Sequence, residues 1–370
     1  MYEIDIDLLS CPETMEELRI LSVEQRADDG EIIEGTIGTD SRTYRITNGI
    51  PRFVGDTEYN KSWDFKWTHF DKGVGYNYRI IDRNDKAYAI HDIYDRNSHE
   101  GKAFRHMKGR LVLDVGCGIG QYAVKSLIES GARKIVALDL THGVDIFRKI
   151  VLERYGDHAK DILIVQGNVF SMPFREEKFD YVYSLGVLMH TGNTLRALNE
   201  VCKRVKPFGE INVWIYCSEP CAYDAVEDGR GNVLSLANFH KFKNKLRFAM
   251  FWIHLFRKIS HEKTLKIIKF FTSDYIFNLS RKRGFRWISS LFPSVDYDEY
   301  GYRLINHYDG YVNNWCDTWS EHEIFPTLQA NSIAVLGIST WRLGVWGRKV
   351  PNFYTAADSP HGPAERGHTA

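Results

Sequence analysis

Three glycines spaced two apart, Gly116, Gly118 and Gly120, follow an apolar run that ends on Asp114. Residues without a Cβ take positive φ and let the backbone come close to a ligand. A helical pattern begins near Gly120 or Gln121, and its first free N–H groups turn toward the same ligand. A second apolar run, from Lys134, ends on Asp139. That is about 20 residues past the glycines, where a carboxylate reaches the hydroxyls of a ribose. The chemistry these residues suit is the binding of a nucleotide-like cofactor. Their spacing, G-x-G-x-G, is shorter than the dinucleotide fingerprint G-x-G-x-x-G, so a dehydrogenase lacks its glycines here.

Elements of alternating type must position this loop. Strand patterns fall at 111–115, 134–140, 162–168 (ending on Asn168), 179–185 and 210–216, with a helix near 195–205 between the last two. A helix at 320–330 and two strands at 332–339 and 343–350 follow late in the chain. Strands alternating with helices predict an α/β fold with a parallel sheet covered on both faces and a ligand at the carboxyl ends of its strands.

This order of elements resembles the class I S-adenosylmethionine-dependent methyltransferases. The resemblance is carried by Asp114-Val115-Gly116-Cys117-Gly118-Ile119-Gly120, Asp139-Leu140, Asn168-Val169 with Pro173-Phe174, and Phe179-Asp180 running into Ser184-Leu185-Gly186-Val187. It implies a Rossmann-like sheet, parallel with a C-terminal antiparallel hairpin, and S-adenosyl-L-methionine (SAM) as methyl donor, leaving S-adenosyl-L-homocysteine (SAH). On that pattern Asp114 and the three glycines shape the methionine pocket, Asp139 holds the ribose, Asn168 and Val169 contact the adenine, and Leu140 and Leu185 are further cofactor-binding positions. Two departures are Asn168, where many relatives carry Asp, and Pro207-Phe208-Gly209, where they carry Pro-Gly-Gly. Asn168 can still accept a hydrogen bond through its side-chain carbonyl.

Methyl transfer needs the nucleophile brought to about 3 Å from the methyl, water excluded, and a base for an oxygen or carbon acceptor. His190 is a candidate because it follows the fourth strand directly; its alternative is a packed structural histidine. His307, Tyr308 and Tyr311, in the run 306–315, are candidate proton-handling groups where related enzymes place substrate contacts. A satisfied loop cluster is the plainer reading. An Asn/Asp-Pro-Pro-aromatic turn and a Pro-Cys nucleophile are both missing beside the fourth strand, which speaks against methylation of exocyclic amines and of cytosine carbon. The expected acceptor is a small molecule, a specialised metabolite, sugar or glycan intermediate. The alternatives are a protein or RNA methyltransferase and a non-catalytic SAM- or SAH-binding partner subunit.

The chain of 370 residues is 44% hydrophobic and formally neutral, so nothing global draws it to nucleic acid. Six cysteines without a framework suit a reduced, cytoplasmic protein, and neither a signal peptide nor a run long enough to span a membrane is present. Residues 1–55 resemble a zinc-ribbon-like, Trm112-type module closing on Gly49-Ile50-Pro51-Arg52. Cys11 stands alone there, with Thr14, Gly38 and Ser41 where other ligands would fall, so the expected ribbon is metal-free. Residues 56–108 form an aromatic lead-in and lid, 109–216 the SAM-binding core, 217–319 a helical cap and 320–350 the last helix and strands. The tail 351–370 reads as disordered. Between Lys241 and Phe271 nine Lys or Arg meet one acid, Glu262, among aromatic residues. This suits amphipathic helices with a solvated basic face, or a peripheral membrane contact. Oligomeric state is left open.

Overall fold

A computed structural model describes residues 1–54, 63–67, 106–120, 123, 130–216, 226–227, 233–234, 251–285, 287–288, 300–312, 317–339 and 344–350, without the side chains of 302, 305, 306 and 309–311. The expected helix start at Gln121, most of the lead-in 56–108, the first part of the basic run, residues 313–316 and the tail 351–370 lie outside the described residues.

Five core strands run β5 (Leu111–Val115), β6 (Lys134–Asp139), β7 (Ile162–Gln166), β8 (Phe179–Leu185) and β9 (Val205–Trp214). All residues of β5 and β7 are buried, as expected of strands covered on both faces. Helix α1 (Gly143–Arg154) follows β6, and α2 (Thr194–Lys203), N-capped by Asn193 on Arg196 N–H, follows β8. The third strand stops at Gln166 rather than Asn168, because the Asn168 side chain accepts the Phe170 N–H at 2.9 Å and turns the chain.

Beyond a two-residue pair, β10 (Val226–Glu227) with β11 (Val233–Leu234), the next described part of the cap is a helical segment at 251–256. It continues with α3 (His261–Thr272), α4 (Asp274–Arg281) and α5 (Tyr300–Val312). Helix α5 replaces the loop reading of the His307 cluster: Leu304, Tyr308 and Val312 recur every four residues and all are buried. They share a core with Phe256, Leu265 and Ile268. The chain then returns through α6 (Glu321–Ala330), opened by a Ser320–Glu323 capping box, to β12 (Ile333–Ser339) and β13 (Gly344–Lys349).

The core order is β7-β6-β5-β8-β9-β13-β12, with β13 antiparallel to both β9 and β12 and the rest parallel. The chain leaves β5 to one side and later returns to β8 on the other. The crevice at the carboxyl ends of β5 and β8 is therefore the topological switch point, where open α/β sheets bind ligands.

Four N-terminal strands, β1 (Arg19–Arg26), β2 (Ile32–Gly38), β3 (Thr43–Thr47) and β4 (Ile50–Arg52), extend the same sheet to eleven strands. The junction is a parallel pairing of Arg52 with Gln166. Arg52 donates to Asp145 on α1 at 2.5 and 3.2 Å and to the Gln166 side chain at 2.8 Å; Gln166 in turn donates to Leu140 O at 3.2 Å. Buried Cys11 lies 3.3 Å from the Tyr44 hydroxyl, and no metal-holding group of His, Cys, Asp or Glu occurs among the described residues. No helix among the described residues is long and apolar enough to cross a membrane. Phe208 is exposed and held at φ 65°, a left-handed conformation that costs a non-glycine residue about 1 kcal/mol.

Candidate functional site

Gly116, Gly118 and Gly120 all adopt positive φ, at 86°, 56° and 78°. Any side chain at Gly116 would overlap Val187, and any at Gly120 would overlap the ring of Phe147. The loop is tied to the neighbouring strand: Gly116 and Cys117 N–H donate to Leu138 O at 2.7 and 3.0 Å. Gly118 N–H donates to Asp139 Oδ2 at 2.7 Å. The other oxygen of Asp139 accepts from the backbone and hydroxyl of Thr141 at 2.9 and 2.7 Å. Asp139, predicted from its place at a strand end, is thus brought against the glycines.

Two carboxylates meet at this loop. Burial raises Asp139 above the usual carboxylate range despite its bonds from Thr141 and Gly118. Burial also pushes Asp114 up to about 8, the Tyr183 hydroxyl at 2.9 Å opposing it and the charge of Asp139 adding to it. Among the described residues neither forms an ion pair with Lys or Arg. A ligand with hydroxyls and positive charge matches this donor set, and SAM has both. Cys117 is buried as well, and its burial and the two carboxylates hold the thiol well above its ordinary range, so it is no nucleophile.

The Asp114 shift sets a pH dependence. An unfolded Asp ionises near 4, whereas folded Asp114 keeps its proton to about 8. Between those values only the folded state holds that proton, so stability falls as pH rises from about 4 to about 8. The ceiling on this loss is about 5 kcal/mol. Asp114→Asn is expected to lack it: its melting temperature, relative to the unsubstituted chain, should climb steadily from pH 5 to pH 8. Parallel profiles would refute the assignment.

One helical turn, 63–67, joins the parts of the site. Trp67 lies so close to the loop that a Cβ on Gly118 would sit 3.0 Å from its ring, and one on Gly143 would sit 3.1 Å away. Trp63 stacks against Trp67 at 6.5 Å and meets His190 edge-on at 5.3 Å. The Lys66 ammonium lies over both indoles, at 4.6 and 4.2 Å. Asp64 accepts the His142 N–H at 2.7 Å, just before α1. Phe65 faces the cap, stacked on His261 at 5.3 Å and Tyr308 at 5.8 Å.

His190 is buried in a short turn after β8, between Trp63 and Tyr216, whose ring lies 5.5 Å away. The Tyr308 hydroxyl lies 3.0 Å from Nδ1 of His261. His307 is buried with Nδ1 2.6 Å from Arg303 O, and burial lowers its pKa to about 4, so it is neutral at pH 7. The described contacts connect Tyr308 to the lid through Phe65 but do not bring His307 to His190. Tyr311 lies on α5, and its side chain is outside the described residues. Leu185 is buried at the end of β8, before Gly186 at φ 72°. Val169 packs on the main core, and Leu140 carries the Gln166 bond. Thr141, Tyr183, Asp64 and His261 escaped the sequence reading. Trp63 and Trp67 left a signal, since residues four apart share a helical face.

Comparison with known proteins agrees with the fold. Residues 113–213 match the family model described as a methyltransferase domain. A tRNA U34 carboxymethyltransferase of Campylobacter hominis is 31% identical over 30% of this chain and 37% of its own. A sterol 24-C-methyltransferase of Pneumocystis carinii is 30% identical over 41% of this chain and 36% of its own. The chain thus spans little more than a third of the length of these curated relatives. Among solved structures, magnesium protoporphyrin IX methyltransferase of Synechocystis PCC 6803 with bound SAH aligns at TM-score 0.41 and 14% identity, over 77% of this chain and 96% of that one.

Proposed function

We propose that this chain, which carries a methyltransferase domain at residues 113–213, transfers a methyl group from SAM to a small-molecule acceptor. The observation that carries the cofactor reading is the left-handed glycine loop bonded to Asp139 at the switch point. When bound, SAM supplies a methyl on a sulfonium whose sulfur leaves neutral. Asp139 would hold the ribose hydroxyls, and the glycines would admit the methionine portion to the backbone. Asp114 would face its ammonium, and Asn168 and Val169 would line the adenine. Trp63 and Trp67 would keep water out, while His190, beside Trp63, would take the acceptor's proton at a ring nitrogen.

A small acceptor is favoured by the contact of Phe65 with both His261 and Tyr308, because it packs the cap onto the turn that touches Gly118. A site roofed in this way suits a molecule that can be enclosed. The ribbon fits a metal-free relative of the Trm112-type module, with Tyr44 and Glu13 bonding Cys11 where a metal knuckle would stand. A cytoplasmic location is supported by the free, buried cysteines 11, 117 and 202.

The test is incubation of the full chain with methyl-labelled SAM and a cell extract separated by size. Label is expected in the small-molecule fraction. Label in the RNA or protein fraction would overturn the acceptor class, and SAH binding without transfer to any fraction would make the chain a non-catalytic binder.

A further inference from the structure

The outward face of the cap takes no part in the site described above, yet its composition is the least ordinary on the chain. On α3 the buried residues are Thr264, Leu265, Ile268 and Thr272. At 100° per residue the opposite stripe is Lys263, Lys266 and Phe270. Phe270 is 61% exposed in the middle of that stripe. Its ring meets Phe271 at 5.3 Å, Phe271 meets Trp252 at 5.3 Å, and Trp252 meets Phe251 at 5.4 Å. Phe251, at the far end of this chain of rings, is 58% exposed. The two exposed phenylalanines therefore end one continuous aromatic ridge across 251–256 and α3.

The same segment is rich in cations. Arg257, Lys258, Lys263, Lys266, Lys269, Arg281, Lys282 and Arg283 are all exposed, against two acids, Glu262 and Asp274, within 251–285. Tyr275, Phe285 and Trp287 are exposed on the same helical cap. The whole chain has 48 basic and 48 acidic residues, so this excess is local. Helices whose polar face is basic and whose apolar face carries aromatic rings lie in the headgroup layer of bilayers, where the cations meet lipid phosphates. A single-strand nucleic-acid site would instead set its rings along a groove that follows the backbone, and here they stand on the outer face of a helix.

We propose that this face docks on an anionic membrane surface, with Phe251 and Phe270 entering the headgroup layer and Lys263 and Lys266 pairing with lipid phosphates. The docking is independent of which acceptor the site methylates.

Co-sedimentation of the full chain with phosphatidylcholine vesicles, with and without phosphatidylglycerol, tests it. Binding is expected only with the anionic lipid, weakening as salt is raised. Lys263→Glu with Lys266→Glu should reduce partitioning at least about 10-fold. Phe251→Ser with Phe270→Ser should reduce it by about 10-fold at unchanged charge. All four positions are exposed, and melting temperatures equal to that of the unsubstituted chain would confirm intact folding. Failure to sediment with anionic vesicles overturns the proposal, as does sedimentation that the two double variants leave unchanged. Binding of tRNA that is lost in the lysine variant, without vesicle binding, would assign the face to RNA instead.

Discussion

Asp139→Ala is expected to weaken SAH binding about 100-fold in calorimetry, the loss of two charge-assisted hydrogen bonds, while the melting temperature changes little. The two readouts separate because the carboxylate plays two opposed parts. Toward the ligand, its position against Gly118 N–H places an acceptor at the mouth of the glycine loop. Toward the fold, it is a carboxylate that burial raises above its ordinary range, so it is held at a cost. Alanine relieves that cost but also removes the bonds from Gly118 and Thr141, and the two effects oppose each other. Asp139→Asn, which keeps one carbonyl oxygen, should fall between. Unchanged affinity in the alanine variant would remove Asp139 from the site. A large fall in melting temperature would make it a structural residue.

Glu210→Gln should lower stability by about 1–3 kcal/mol, the cost of leaving hydrogen-bond partners of a buried group unsatisfied. Glu210 is fully buried on β9 and gathers Arg348 at 2.9 Å, Trp346 Nε1 at 3.0 Å, His106 at 3.2 Å and Arg110 at 3.4 Å. Burial alone would raise its pKa, but these partners outweigh it and hold the carboxyl below its ordinary value. Its contribution is therefore complete above the usual carboxylate range and is lost as acid protonates it. Glutamine keeps the shape and removes the charge, leaving the two arginines without a counterion at that point. Thermal unfolding at pH 7 should show a midpoint lowered by roughly 1–4 °C. Equal midpoints would mean that water satisfies the arginines without Glu210.

Much of this was legible in the sequence. The core strands and the order Gly116–Gly120, Asp139, His190 came from period and spacing, because a buried parallel strand is a short apolar run and a left-handed loop demands glycine. Helix α5 was not foreseen, since polar Asn306, Asp309 and Asn313 hide the four-residue recurrence of Leu304, Tyr308 and Val312. The turn at 63–67 was seen as aromatic but not as the hub, because no local pattern tells which core a five-residue segment will touch. Arg52 is the clearest case of a long-range role. Its partners Asp145 and Gln166 lie about a hundred residues away, and only the shared sheet brings them together.

That shared sheet has a consequence for association. An open β7 edge would present unpaired backbone groups to any passing strand, which is how sheet proteins aggregate. The ribbon joins it through the single pairing of Arg52 with Gln166, and the outermost strands become β1 and β12. Strand β1 breaks register at three points and is exposed along most of its length, with Glu24, Gln25 and Arg26 at its end. Strand β12 breaks register between Val335 and Gly337. A strand added at either border would therefore have to accommodate these breaks in register.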